Sequence, residues 1–271
     1  MKHTWIAAAV ATALGLASLG AHADATASAT LTDLSFSLGK TYAGAPTPTI
    51  TFNTVYGNYI YTYQYSLDPL SNLNGTVTAP TLFGDIALTS ISPISGASAA
   101  FTGDPELGTG GVSVSAYANA NPSGFSQAEA DAYLAGSAYG YTTFTLSKGA
   151  TLDIFATAAL TTSATTFLDS SVAHAGLYLF GQNGTTNSSS QSSLDAGSFA
   201  GSPWAGSAFG DLEVSFSSLR NSVSTGYFYG ELTAGASSTE VSAVPEPTNL
   251  ALLAAGLGAL GMLSRRRARQ G

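Results

Sequence analysis

The chain has 271 residues, of which 16 are acidic, 8 basic and none cysteine, for a formal charge of −8. The missing thiols exclude a disulfide framework and all cysteine chemistry. Nucleic acid is excluded as a plausible partner, because residues 24–247 hold all 16 acidic residues against only Lys40, Lys148 and Arg220, a local balance of −13.

The first residues read as an export signal. Lys2 supplies a positive start, residues 5–19 an apolar run, and Ala21-His22-Ala23 a small-x-small cleavage site before Asp24. This predicts a signal peptide over residues 1–23, translocation by the Sec machinery and a mature chain that begins at Asp24. Residues 24–243 then form the extracytoplasmic domain, long enough to bury a core without covalent staples.

Within that domain apolar residues alternate with small hydroxylated ones, the period of two that marks strands. Ala25, Ala27, Ala29 and Leu31 keep one phase and Leu34, Phe36 and Leu38 the other, which predicts a bulge at Thr32-Asp33. Residues 50–64 read as one strand that opens a row of Tyr59, Tyr61, Tyr63 and Tyr65 on a single face. Phe144-Thr145-Leu146 and residues 151–158, joined through Ser147-Lys148-Gly149, read as a hairpin. Residues 172–180, 212–216 and 227–236 are further strands. Roughly seven to ten short strands separated by glycine and Asn-Gly turns predict an all-β sandwich or jelly roll.

One helix is expected to interrupt it. Ser126-Gln127-Ala128-Glu129 matches a capping box, and Phe125 stands where it could staple to Ala130, which predicts a short helix over residues 127–135. Residues 181–206, rich in Asn, Ser and Gly, read as a long mobile loop.

Catalytic chemistry has little to build on. His3 and His22 fall in the signal, so His174 is the lone histidine of the domain and reads as an ordinary strand position. A zinc site needs three or four ligands, and a serine hydrolase of the common type needs a Gly-x-Ser-x-Gly elbow that does not occur. Asp211 with Glu213, or Glu231 with a partner across a sheet, could supply the two acids of a glycosidase. Such pairs arise by accident in an acidic chain, and edge charges protect sheets from aggregation. The chain is therefore read as a non-enzyme with no cofactor and no metal residue assigned. Calcium is the one ion with candidate ligands, at Asp68, Asn72 and Asn74 or at Asp104 and Glu106, all expected in loops. Neither set fits an EF-hand, since Leu70 stands at the second ligand position.

The tyrosine row has two readings. Aromatics at every second residue usually lie in a core or on a cross-strand ladder, and base rates favour the core. The alternative is a sugar-stacking platform of Tyr59, Tyr61, Tyr63 and Tyr65, joined by Trp204.

The C-terminal end carries the most specific signal. Pro245-Glu246-Pro247 is followed by an apolar run, taken as a transmembrane helix over about residues 248–264, and then by Arg265, Arg266, Arg267 and Arg269. The prolines hold an extended step into the apolar run, and the arginines form a cytoplasmic stop by the positive-inside tendency. Residues 244–271 thus resemble the sorting signal of the PEP-CTERM family, in which exosortase, a membrane enzyme, reads that motif. The resemblance implies a Gram-negative bacterial cargo protein, made as a single-pass inner-membrane precursor and delivered to the cell surface or extracellular matrix. A structural or adhesive role in an exopolysaccharide or biofilm matrix follows from it. A carbohydrate- or calcium-binding surface module is the alternative.

Overall fold

The period-two pattern becomes strand almost throughout. The computed structural model describes residues 25–54, 57–67, 70–79, 85–103, 110–119, 125–137, 140–165, 168–198 and 205–239, and no helix occurs among them. The strands are β1 (Ala25–Lys40), β2 (Ile50–Thr54), β3 (Tyr59–Leu67), β4 (Leu70–Thr78), β5 (Ile86–Ile91), β6 (Ser95–Thr102), β7 (Gly110–Ala118) and β8 (Phe125–Leu134). They continue as β9 (Gly136–Ser137), β10 (Gly140–Leu146), β11 (Ala150–Ala164), β12 (Ser170–Asn183), β13 (Thr186–Ser198), β14 (Ala205–Ser217) and β15 (Ser224–Thr239). All lie in the first of the chain's two compact units, Met1–Glu240.

Two antiparallel sheets share one core. The smaller has the order β14-β11-β1-β7-β6-β5, and the larger runs β13-β12-β15-β8-β3-β4 with β10, β2 and β9 attached. Strand β10 continues the line of β8 along β15, because β8 pairs with Gly230–Thr239 and β10 with Ser224–Phe228. Between them β9 pairs with the start of β10, Gly136 opposite Tyr141, and Thr142 N donates to Ala135 O at 2.8 Å. Ala135 has a φ of 56°, and its N–H donates to Oδ1 of the buried Asn58.

The core is graded along the strands. At one end Ala25, Ala27 and Ala29 of β1 share the interior with Ala128, Ala130 and Ala132 of β8 and with Ala234 and Ala236 of β15. At the other, Phe36 meets Phe228 edge-on at 5.3 Å, and Phe144 meets Phe216 at 6.2 Å across the two sheets. Alanine needs little space between sheets and phenylalanine much, so side-chain size sets the local gap. The predicted bulge is present. Asp33 and Leu34 together oppose Ala156 of β11, Asp33 has a φ of 56°, and the slip of one residue keeps both Leu31 and Leu34 buried.

Four sequence expectations need correction. Residues 127–135 are strand β8 and its following turn, because Ser126, Ala128, Ala130, Ala132 and Leu134 fill the inner face between β15 and β3. Burial of that face overrides a helix cap and the helical preference of alanine. Residues 144–146 and 151–158 are not a hairpin: β10 belongs to the larger sheet and β11 to the smaller. Gly149, at a φ of 67°, turns the chain from one sheet to the other and is held by Leu219 O and Thr41 N. Most of residues 181–206 is ordered strand, since β12 and β13 pair through the two-residue turn Gly184-Thr185, with Gly184 at a φ of 62°. The single strand over 50–64 is two strands, β2 and β3.

Strand β8 can be tested by substitution. Ala130→Leu, inside the alanine end, should destabilise by about 1–3 kcal/mol through overpacking. Gln127→Val, on the outer face, should stay within about 0.5 kcal/mol of the parent. Urea midpoints of the two proteins measure the difference; equal midpoints would contradict the strand orientation.

Candidate functional surface

On the outer face of the larger sheet, the alternation that buries alanine must display the intervening residues. Strand β8 shows Phe125, Gln127, Glu129, Asp131 and Tyr133 there, and β3 shows Tyr59, Tyr61, Tyr63 and Tyr65. The tyrosine row is therefore not in the core; it is half-buried on the outside, while Ile60, Thr62, Gln64 and Ser66 point inward. Two of its members do join a cross-strand ladder, Tyr59 with Tyr133 and Tyr65 with Phe125, each at 6.0 Å between ring centres. Trp204 lies outside the described residues, as do the sorting and signal residues at both ends.

Register places three carboxylates among these rings. Asp131 stands opposite Tyr61 and Thr233, Glu129 opposite Tyr63 and Gly235, and Glu231 opposite Tyr133 and Gly176. Glu231 stands directly opposite Tyr133 and Gly176 rather than a second acid, and its charge acts on Asp131 two residues along β8 from Tyr133. Asp131 is 9% exposed, and its Oδ1 is buried with no hydrogen-bond partner. Burial first, then the charges of Glu129 and Glu231, push its carboxyl up to about 7. The same field acts on the rings. Burial and the neighbouring acids raise the Tyr61 and Tyr133 hydroxyls, and burial and adjacent tyrosines push Tyr229 up to about 12.

A second group of rings continues the face. Phe180 stacks on Tyr227 at 4.7 Å, Tyr227 on Tyr141 at 5.2 Å, Tyr141 on Tyr229 at 4.7 Å and Tyr229 on Tyr178 at 4.5 Å. Tyr141 meets both Tyr227 and Tyr229 from the start of β10, where it pairs with Gly136 of β9. No sequence period signals this stack, since its rings come from three distant segments. Beside it lies a cleft of about 580 Å³ with an uncharged lining that includes Asn53, Thr143, Gln182, Asn187 and Tyr227. Its floor is bare backbone where Gly181 faces Gly226. A Cβ on Gly226 would overlap the carbonyl oxygen of Phe180, so only glycine fits there. The volume and the mix of aromatic wall with amide and hydroxyl groups suit a polyhydroxylated ligand.

The remaining candidates are dispersed. His174 lies on β12, its Nδ1 2.7 Å from Asp195 Oδ1 and its Nε2 3.2 Å from the Tyr178 hydroxyl. Asp195 is 76% exposed, so this is a surface ion pair of small energetic weight. Asp211 and Glu213 do share a face, on β14 of the smaller sheet, where Asp211 accepts from Thr157 Oγ1. Asn72 and Asn74 stand on strand β4 opposite Tyr65 and Tyr63, not in a loop. Asp68, Asp104 and Glu106 lie outside the described residues. Among the described residues no three His, Cys, Asp or Glu side chains are disposed to hold a metal ion.

The raised carboxyl of Asp131 has a measurable sign. Its folded value near 7 exceeds the ordinary carboxylate value, so the native state binds more protons and stability falls as pH rises toward 7. Asp131→Asn removes that loss. Its melting temperature should exceed the parent's at pH 8 and converge with it near pH 4, at about 2–4 °C per kcal/mol for a domain of this size. Calorimetry across that range checks it; parallel curves for the two proteins would be inconsistent with a raised carboxyl.

This face has to be read by its own chemistry, for no family model and no curated protein matches the chain.

Proposed function

We propose that the protein is an exported surface or extracellular-matrix protein, translocated by the Sec machinery, sorted by exosortase at the inner membrane and structural or adhesive in an exopolysaccharide matrix. The ordered series Pro245-Glu246-Pro247, the apolar run over residues 248–264 and the arginines at 265, 266, 267 and 269 carries this reading. The cysteine-free all-β domain supports it, since such a fold needs no oxidative maturation after export. A carbohydrate-binding role is the second reading, favoured by one observation: Tyr59, Tyr61, Tyr63 and Tyr65 face outward on a sheet that also carries a ring stack and an uncharged polar cleft. The two readings meet on one surface, the outer face of the larger sheet, as the part that contacts matrix polysaccharide.

The sorting series divides into two physical tasks. Prolines keep the chain extended at the membrane edge and leave its peptide bonds open to a processing enzyme. Arginines fix depth, because drawing each toward the bilayer centre costs about 3 kcal/mol or more. Replacing Pro245, Glu246 and Pro247 with alanine should leave an unprocessed, membrane-bound precursor, whereas deleting residues 265–271 should let uncut chain escape. Fractionation and intact mass in cells with and without exosortase measure both. Release of the triple-alanine protein at the parent's mass and yield would refute the sorting role of the motif.

A further inference from the structure

Three carboxylates at adjoining positions on one sheet face need a counter-charge. Strands β3, β8, β12 and β15 contain no lysine or arginine, and their one basic side chain, His174, is engaged by Asp195 and Tyr178. The domain's three strong bases lie elsewhere: Lys40 ends β1, Lys148 sits in the β10–β11 connection, and Arg220 lies over the Tyr42 ring at 4.6 Å. Asp131 meanwhile holds a buried oxygen that nothing in the protein satisfies. An unmet buried carboxylate oxygen is costly, and a cation held on this face offsets the repulsion that Glu129 and Glu231 exert on Asp131.

The surrounding chemistry narrows the cation. Each acid has a tyrosine as register neighbour, Tyr61 for Asp131, Tyr63 for Glu129 and Tyr133 for Glu231. An organic ammonium suits that frame, since it donates to the carboxylates while its carbon skeleton lies against aromatic rings. Room exists beside it: a hollow of about 200 Å³ over Gly235 has Glu129, Val172 and Thr233 in its lining. Four residues from Glu231 in the opposite direction along β15, about 13 Å away, Tyr227 borders the uncharged cleft. Acids between two polar hollows on one strand line form a track for a chain molecule. The hydroxyl and amide lining of both hollows matches a sugar chain better than a peptide.

We infer that the outer face of the larger sheet recognises an amine-bearing polysaccharide, with protonated amino groups held by Glu129, Asp131 and Glu231 and sugar rings laid against Tyr59, Tyr61 and Tyr133. The inference rests on the proposal that this face contacts matrix polysaccharide and adds the charge class of the sugar. It assigns affinity to free amines, so acetylating them should abolish recognition. Because exposed charge pairs weaken with ionic strength, binding should also fall as salt is raised.

Calorimetric titration of the full chain in detergent with a glucosamine hexamer tests it, against the N-acetylated hexamer, a neutral glucose hexamer and hexalysine. The expected result is binding of the glucosamine hexamer at least tenfold tighter than of the other three. Asp131→Asn and the pair Glu129→Gln with Glu231→Gln should each weaken it at least tenfold while melting no lower than the parent at neutral pH. Equal binding of all three sugars, unchanged in the variants, would overturn the amine assignment and leave the glycan-contacting face standing. Binding of no sugar would remove both. Hexalysine binding as tightly as the glucosamine hexamer would overturn the sugar assignment in favour of a cationic peptide partner.

Discussion

Strict alternation between the two faces of the larger sheet is the constraint on which everything else depends. Its inner face is filled at one end by alanines that leave no slack, so strands β3, β8 and β15 have one admissible register. A slip of one residue would drive Glu129, Asp131 and the tyrosines into the core and expose the alanines. Packing therefore does more than hold the sheets together. By fixing which residues go in, it fixes which residues of segments up to 170 positions apart stand together outside, from Tyr59 to Tyr229.

Small residues shape the sheet as much as aromatic ones do. A side chain on Gly181 or Gly226 would run into Phe216 or Phe144 of the core, so these two make room inside, whereas Gly235 opens the hollow next to Glu129. Tyr141 at the start of β10 then lies against both Tyr227 and Tyr229 and completes the stack. The buried Asn58 accepts from the N–H of Ala135 just past β8. Stability and surface geometry are set by the same few side chains.

What the sequence revealed was local. The class of fold, the bulge at Thr32-Asp33 and the strands around Val172, Leu212 and Tyr227 follow from period two, which depends only on neighbours along the chain. What it concealed was the outcome of competition. The segment from Phe125 satisfies a helix cap and a strand alternation at once, and only the presence of β3 and β15 on either side decides between them. The Ser- and Asn-rich run after Gly181 looked like loop because its side chains bury little; as the edge strand β13 it needs to bury little, and pairing with β12 suffices. For the tyrosine row, base rates favour the core over a platform; its outward direction comes from Thr62, Gln64 and Ser66, which turn inward beside Ala130, Ala128 and Ser126 of β8, with Thr62 bonded to Ser90 at 2.8 Å. The register neighbours of Glu231, Gly176 and Tyr133, lie in other strands far along the chain, where no spacing rule reaches.

The two charged groups on this face differ in what they ask of their surroundings. His174 and Asp195 hydrogen-bond each other at an exposed edge, with Asp195 largely in water, so removing either changes little. Glu129 and Glu231 act instead on the buried Asp131, where screening is poorer and an unpaired oxygen stays dry. The first arrangement is complete within the protein. The second opposes folding at neutral pH, and an arrangement that opposes folding has to be compensated by packing elsewhere, here by the interior strands β8 and β15 with the alanine core beneath them. The proposed amine contact would relieve that opposition from outside, on a surface whose geometry the rigid strands beneath already hold.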